Sequence, residues 1–225
     1  MENLARTLTT APCPGAPLAP EARLRAFTPF SLCDWPGRSV SVVYLGGCNL
    51  RCPTCHNQSL AFTPEKHPEL DRKSVLRTLT QRSRWLDGVV VCGGEPTLDP
   101  GLPGLVGRLA GLGLPVKVDT NGMLPGVVEH ILALHPGTLF AVDVKGPWER
   151  YPELTGGAAS PEAARAALER IFALAEARPG SFLFRITLVP GLTPEDVRRV
   201  RDCLPPGHEL TEQTYIPPKF EGKGA

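Results

Sequence analysis

The feature that most constrains this chain is an alternation of short β-branched runs with longer helix-compatible stretches. SVSVVYL (39–45) precedes DRKSVLRTLTQRSRWL (71–86), and GVVVC (88–92) precedes LPGLVGRLAGLG (102–113), where Pro103 is placed to start a helix. PVKVD (115–119) precedes MLPGVVEHILALH (123–135), and TLFAVDVK (138–145) precedes PEAARAALERIFALAEA (161–177). SFLFRITLV (181–189) precedes TPEDVRRVRDCL (193–204), and ELTEQTYI (209–216) reads as a further strand. Strands alternating with helices predict βαβ units and a parallel sheet. Five or six such units without a break predict one α/β domain over residues 23–216, an open or incomplete barrel. The Pro- and Ala-rich stretch 1–22 reads as a mobile leader and 217–225 as a tail.

In such architectures chemistry gathers in the loops beyond the C-terminal ends of the strands. Four unusual stretches fall there: GGCNLRCPTCHN (46–57), GGEPT (93–97), DTNG (119–122) and DVK (143–145). The alternation alone predicts that they converge on one rim.

Composition narrows the setting. A chain that is 42% hydrophobic and 21% charged can build a real core. A net charge of +1 gives no reason to expect nucleic acid or an anionic membrane as partner. No run approaches the ~18 apolar residues of a membrane span, and the N-terminus shows no signal-peptide pattern. The expected compartment is the cytoplasm. Seven cysteines, an odd and unevenly spaced set, then read as reduced thiols, and clustered ones as metal ligands.

Cys48, Cys52 and Cys55 are spaced Cys-x3-Cys-x2-Cys on one loop. A structural zinc site closes with four ligands; His56 is a conceivable fourth, although adjacent residues rarely bind one ion. Three thiolates suit three corners of a cubane iron–sulfur cluster, with the fourth iron open to an exogenous ligand. In GGEPT, Gly93 and Gly94 let backbone approach a ligand; the plainer alternative is a tight turn with Glu95 solvated. In DTNG, Asp119, Thr120 and Asn121 offer polar groups before a permissive glycine, or form an Asx turn. Asp143 and Lys145 share the inner face of a strand, as a structural ion pair or, through Lys145, as a carboxylate binder.

Together these stretches resemble the radical S-adenosylmethionine superfamily. FTPFSLCDWPGRSVSVVYLGGCNLRCPTCHNQSL (27–60), VVVCGGEPTLDPGLP (89–103), VKVDTNG (116–122), AVDVKGPWERYPELTG (141–156) and FRITLVPGLT (184–193) narrow the resemblance. They look like the glycyl-radical-enzyme activating enzymes, most of all the activators of anaerobic ribonucleoside-triphosphate reductase. The resemblance implies a partial (β/α)6 TIM-like barrel and one [4Fe–4S] cluster on Cys48, Cys52 and Cys55. It places S-adenosylmethionine along Gly93, Gly94 and Glu95, with Lys145 on its carboxylate and Arg185 and Val189 by its ribose and adenine. Asp119, Thr120 and Asp143 match positions that line a monovalent-cation site in related activases, and His56 and Asn57 would neighbour the cofactor. The implied reaction is reductive cleavage of S-adenosylmethionine, fed by a flavodoxin- or ferredoxin-type donor, and hydrogen abstraction from a glycine of the reductase. A different glycyl radical enzyme, or a small molecule such as a deazaguanine precursor, is the alternative substrate. Thr54 departs from the family, which commonly has an aromatic residue before the third cysteine. Cys92 reads as a buried inert thiol; Cys33 lies in a turn that could pack over the cluster, and Cys13 and Cys203 have no motif. His67, His130, His135 and His208 read as surface or satisfied core histidines, and Trp35, Trp85 and Trp148 as packing residues.

Overall fold

The computed structural model describes residues 20–218. The expected leader and tail therefore lie almost wholly outside the described residues, as does Cys13. Residues 20–22 go with the fold: Ala22 is buried, and its backbone lies so close to Gly101 that a side chain there would collide with it.

Seven strands form one sheet in strict sequence order: β1 (Leu24–Ser31), β2 (Val40–Leu45), β3 (Gly88–Gly93), β4 (Val116–Thr120), β5 (Leu139–Asp143), β6 (Phe182–Leu188) and β7 (Leu210–Thr214). From β2 to β7 every pairing is parallel. β1 runs antiparallel to β2, an edge strand that the repeat of βα units does not announce. The helices are α1 (Gln58–Phe62), α2 (Arg72–Arg82), α3 (Leu102–Ala110), α4 (Pro125–Leu134), α5 (Tyr151–Leu154), α6 (Pro161–Ala177) and α7 (Pro194–Asp202). The result is an α/β partial TIM-like barrel, six parallel strands with connecting helices and an added edge strand.

The two-residue period of the strands divides the core into two bodies. Val43, Leu45, Val89, Val91, Val116, Val118, Val142 and Phe184 point outward beneath the helices, against side chains such as Leu105, Ile131, Leu168 and Ile171. The inward set begins with Val40, Val42 and Val90, capped by Trp35, which is only 8% exposed. A Cβ on Gly88 would meet the Trp35 ring at 2.9 Å, so the glycine is what lets the indole plug this end of the barrel. With that end filled, the open end is the one bearing the C-terminal ends of the strands. Trp148 packs against Tyr151 and Phe172 as expected. Trp85 does not: it is 76% exposed, at the end of a short helical turn none of whose residues is buried.

Helix starts follow local rules. Asp71 accepts from the backbone N–H groups of Lys73 and Ser74 to cap α2, and Ser160 caps α6 through Ala163. Thr193 and Asp196 form a reciprocal capping box on α7.

Candidate functional site

One cavity of about 630 Å³ opens at the C-terminal ends of β2 to β6. Its lining includes Cys48, Cys52, Cys55, His56, Gly93, Gly94, Glu95, Asp119, Thr120, Asn121, Asp143, Lys145, Arg185 and Val189. Every candidate residue read from the sequence thus reaches the same space. Asp34, Tyr44, Thr54, Asn57, Thr187 and Ile216 also face it.

The cysteine loop is held by backbone. Glu95 N–H donates to Gly47 C=O at 2.7 Å, Gly94 N–H to Leu45 C=O at 3.0 Å, and Arg51 N–H to Thr155 C=O at 3.0 Å. This closeness explains the glycines: a Cβ on Gly93 would sit 2.1 Å from the Leu45 oxygen, one on Gly94 2.0 Å from the Gly47 oxygen, and one on Gly156 2.3 Å from the Arg51 oxygen. Gly93 and Gly94 therefore serve first the approach of two loops to each other. Asn57 does not cap α1; its amide donates to Gly93 C=O at 3.0 Å. His56 is exposed, with its ring against Tyr215 and Nε2 bonded to the Ile216 carbonyl.

Glu95 is neither solvated nor free. It is 1% exposed, and Oε1 accepts from Thr97 N–H at 3.1 Å, the Thr97 hydroxyl at 2.5 Å and the Thr120 hydroxyl at 2.6 Å, while Oε2 accepts from Asn121 N–H at 2.7 Å. Burial pushes this carboxyl up, and the four donors oppose that. Asn121 in turn donates from Nδ2 to Asn49 Oδ1 at 2.8 Å, so the third loop reaches the cysteine loop through this chain.

The floor carries charge. Asp119 meets Lys117 Nζ at 2.5 Å through Oδ1 and Arg185 at 3.0 Å through Oδ2. Asp143 meets Arg185 at 2.8 Å through Oδ1 and Lys145 Nζ at 3.4 Å through Oδ2. Asp143 and Lys145 are therefore paired, as the plainer reading of DVK had it. Lys145 and Arg185 reach the cavity itself, so each can still meet an incoming carboxylate. Enclosure pushes the Asp143 carboxyl up, but Lys145 and Arg185 outweigh it and hold the group below the usual range. Enclosure works against the Lys145 ammonium, yet Asp143 and then Cys52 hold its affinity for protons above the ordinary value. The backbone N–H of Lys145 donates to the buried Tyr151 hydroxyl at 3.1 Å, which fixes the turn after β5.

Burial pushes the Cys48 thiol up to about 11 and raises Cys55 as well. Such thiols ionise when a metal centre takes them as ligands. Among the described residues, no three Cys, His, Asp or Glu side chains stand close enough to hold a single metal ion. His56, the conceivable fourth zinc ligand, is engaged through Nε2 at the Ile216 carbonyl; a cubane takes the three thiolates alone, each at a separate iron. The donor set thus fits an iron–sulfur cluster with one open iron, and Lys145 and Arg185 fit a cofactor carboxylate. Where a monovalent cation is expected from the resemblance, each carboxylate oxygen of Asp119 and Asp143 instead meets a fixed cation, Lys117, Arg185 or Lys145.

Three minor readings change, and one residue was missed. Cys92 faces the cavity rather than the helix-side core, its thiol pushed up by burial. Cys33 is exposed, and it is its neighbour Asp34 that reaches the cavity. His67 is not satisfied among the described residues, where its buried Nε2 has no hydrogen-bond partner. Lys117 escaped notice although it lies two residues before Asp119; the alternation that paired Asp143 with Lys145 would have found it.

A parallel barrel with three thiols at its C-terminal rim and fixed cations, Lys145 and Arg185, on the same cavity defines a class of α/β protein suited to hold a redox cluster beside a cofactor that carries a carboxylate. The family model described as the Radical SAM superfamily matches residues 42–204. The chain belongs to that superfamily, and membership makes it an enzyme of radical chemistry and implies a [4Fe–4S] cluster and S-adenosylmethionine. A Methanocaldococcus jannaschii protein provisionally named as a glycyl-radical enzyme activating enzyme is 29% identical over 189 residues, 81% of this chain and 77% of that protein. The 7-carboxy-7-deazaguanine synthase of Hyperthermus butylicus is 40% identical over 84 residues, 37% of this chain and 34% of that enzyme. Streptococcus suis SuiB, solved with S-adenosylmethionine bound, superposes with a TM-score of 0.58 at 21% identity, covering 77% of this chain and 40% of SuiB. The chain thus spans about two fifths of SuiB, and the likeness concerns the fold.

Proposed function

We propose that this protein is an activase that installs a glycyl radical on anaerobic ribonucleoside-triphosphate reductase. The observation that carries the reading is the meeting, in one cavity, of residues from five successive strand-end loops. When bound, the cluster and S-adenosylmethionine supply reductive cleavage and a carbon-centred radical. The chain's own residues hold and shield them. Cys48, Cys52 and Cys55 would ligate the cluster, and Lys145 would take the methionine carboxylate. Asn57 and Glu95 keep the glycine turn in register, and Val189 with Thr187 would border the ribose and adenine. Leu50 and Leu154 line the wall with apolar surface that excludes water from a reactive radical.

A macromolecular substrate is supported by the open edge. Ile216 lines the cavity yet is 70% exposed, and Leu188, at the end of β6, is 38% exposed. A glycine-bearing loop of a partner would cover such a rim. The similarity to a glycyl-radical activase over most of both chains supports the same reading. Electrons would come from a small flavodoxin- or ferredoxin-type protein in the cytoplasm. The match to a deazaguanine synthase spans little more than a third of the chain and favours, as a second reading, a small-molecule substrate at the same cofactor site.

The test is electron paramagnetic resonance on anaerobically reconstituted protein with reductant, S-adenosylmethionine and the reductase. A glycyl-type doublet that vanishes in Cys52→Ala is the expected result. Formation of 5′-deoxyadenosine without any doublet would overturn the reductase assignment while leaving the radical chemistry intact.

A further inference from the structure

Lys117 stands in the barrel interior, 2% exposed, in a layer whose register neighbours are Val90 on β3 and Leu139 on β5. An aliphatic side chain would suit that layer. An ammonium there is costly unless paired, and its partner is Asp119 Oδ1 at 2.5 Å.

The resemblance read from the sequence would set a monovalent cation at the same Asp119, with Thr120 and Asp143. Here each carboxylate oxygen such an ion would use already meets a fixed cation. Asp119 gives one oxygen to Lys117 and the other to Arg185. Asp143 gives one to Arg185 and the other to Lys145. The Thr120 hydroxyl donates to Glu95 and accepts from Gly122 N–H. A hard cation takes oxygen lone pairs, and one placed here would compete at Asp119 and Asp143 with three fixed cations.

We infer that Lys117 is the built-in cation of this site. From inside the barrel its ammonium neutralises Asp119, as a bound sodium or potassium ion would, and so keeps Arg185 and Lys145 placed for the cofactor's carboxylate. The protein then needs neither ion. The inference rests on the reading of this cavity as the S-adenosylmethionine site.

The experiment measures S-adenosylmethionine affinity of cluster-loaded protein by titration calorimetry in tetramethylammonium, sodium and potassium chloride at equal ionic strength. Thallium(I), a potassium probe, is followed by thallium NMR on the same protein without cofactor. Wild type is expected to bind S-adenosylmethionine equally in all three salts and to show no saturable thallium site. Lys117→Met is expected to gain that site and to bind the cofactor about tenfold more tightly in potassium than in tetramethylammonium. A saturable cation dependence in wild type overturns the inference. So does a cooperatively melting Lys117→Met that shows neither thallium site nor salt dependence. Should Lys117→Met fail to fold, Lys117→Met/Asp119→Asn, with both charges removed, is expected to recover cooperative melting; its failure to do so refutes the charge-pairing account. Absence of S-adenosylmethionine binding by wild type in every salt strikes the cofactor reading alone and leaves the thallium result to judge Lys117.

Discussion

Replacing Glu95 by Gln and by Ala tests whether this carboxylate is a brace between loops or a contact for cofactor. Three donors converge on Oε1 and one, Asn121 N–H, on Oε2. In Glu95→Gln the amide oxygen keeps the three-donor position, so the NH2 group must face Asn121 N–H. Asn121 N–H is then left without an acceptor, at a cost of about 1–3 kcal/mol, and the new NH2 group meets a donor rather than an acceptor, so this is a lower bound. For a chain of this size that is roughly 2–12 °C in melting temperature, taking ~2–4 °C per kcal/mol. In Glu95→Ala the hydroxyls of Thr97 and Thr120 can turn elsewhere, but both backbone N–H groups are stranded, about 2–6 kcal/mol in all. That approaches the whole stability of a typical domain, ~5–15 kcal/mol. The assay is urea denaturation followed by circular dichroism, anaerobically, on protein without cluster, so that cofactor binding cannot mask the change. A Glu95→Gln variant within about 0.5 kcal/mol of wild type that nevertheless loses S-adenosylmethionine binding would refute the brace and return Glu95 to the cofactor.

Two further outcomes follow from the same geometry. Gly94→Ala would place a methyl 2.0 Å from the Gly47 oxygen, so it is expected to displace the cysteine loop and abolish iron and sulfide uptake, whereas Gly126→Ala on α4, with nothing within 4 Å, is expected to leave uptake intact and to stabilise the helix by about 0.5–1 kcal/mol; iron analysis and melting curves read both. Asp143 is held below its usual range by Lys145 and Arg185, so its contribution is full above the unfolded value, ~3.9, and is lost as pH falls through the lower folded value; Asp143→Asn is therefore expected to lose less stability than wild type on acidification below about pH 4, and an equally steep acid limb in melting temperature would contradict the assignment.

Much of this protein is set by local pattern. The two-residue and helical periods of the chain specify five of the six parallel strands and the larger helices, because each face must be apolar where it packs and the period is fixed by the backbone. ELTEQTYI gave a fainter signal, since β7 is an edge strand with little buried surface. β1 was invisible to that logic for a related reason: it joins the sheet antiparallel, without a helix, and most of its side chains are only half-buried. Trp85 shows the converse failure, an aromatic residue left exposed at the end of a short helical turn.

The site divides the same way. Which residues bear chemistry, and that they meet at one rim, was determined by the sequence, since cysteine spacing and strand ends are local properties. How each is used was decided by the tertiary structure. The glycines of GGEPT admit a neighbouring loop, Glu95 is consumed by four donors, and Lys117 supplies the charge that Asp119 lacks. Those roles depend on backbone approach and on charge pairing across β3, β4, β5 and β6, and such distances exist only once the strands lie side by side.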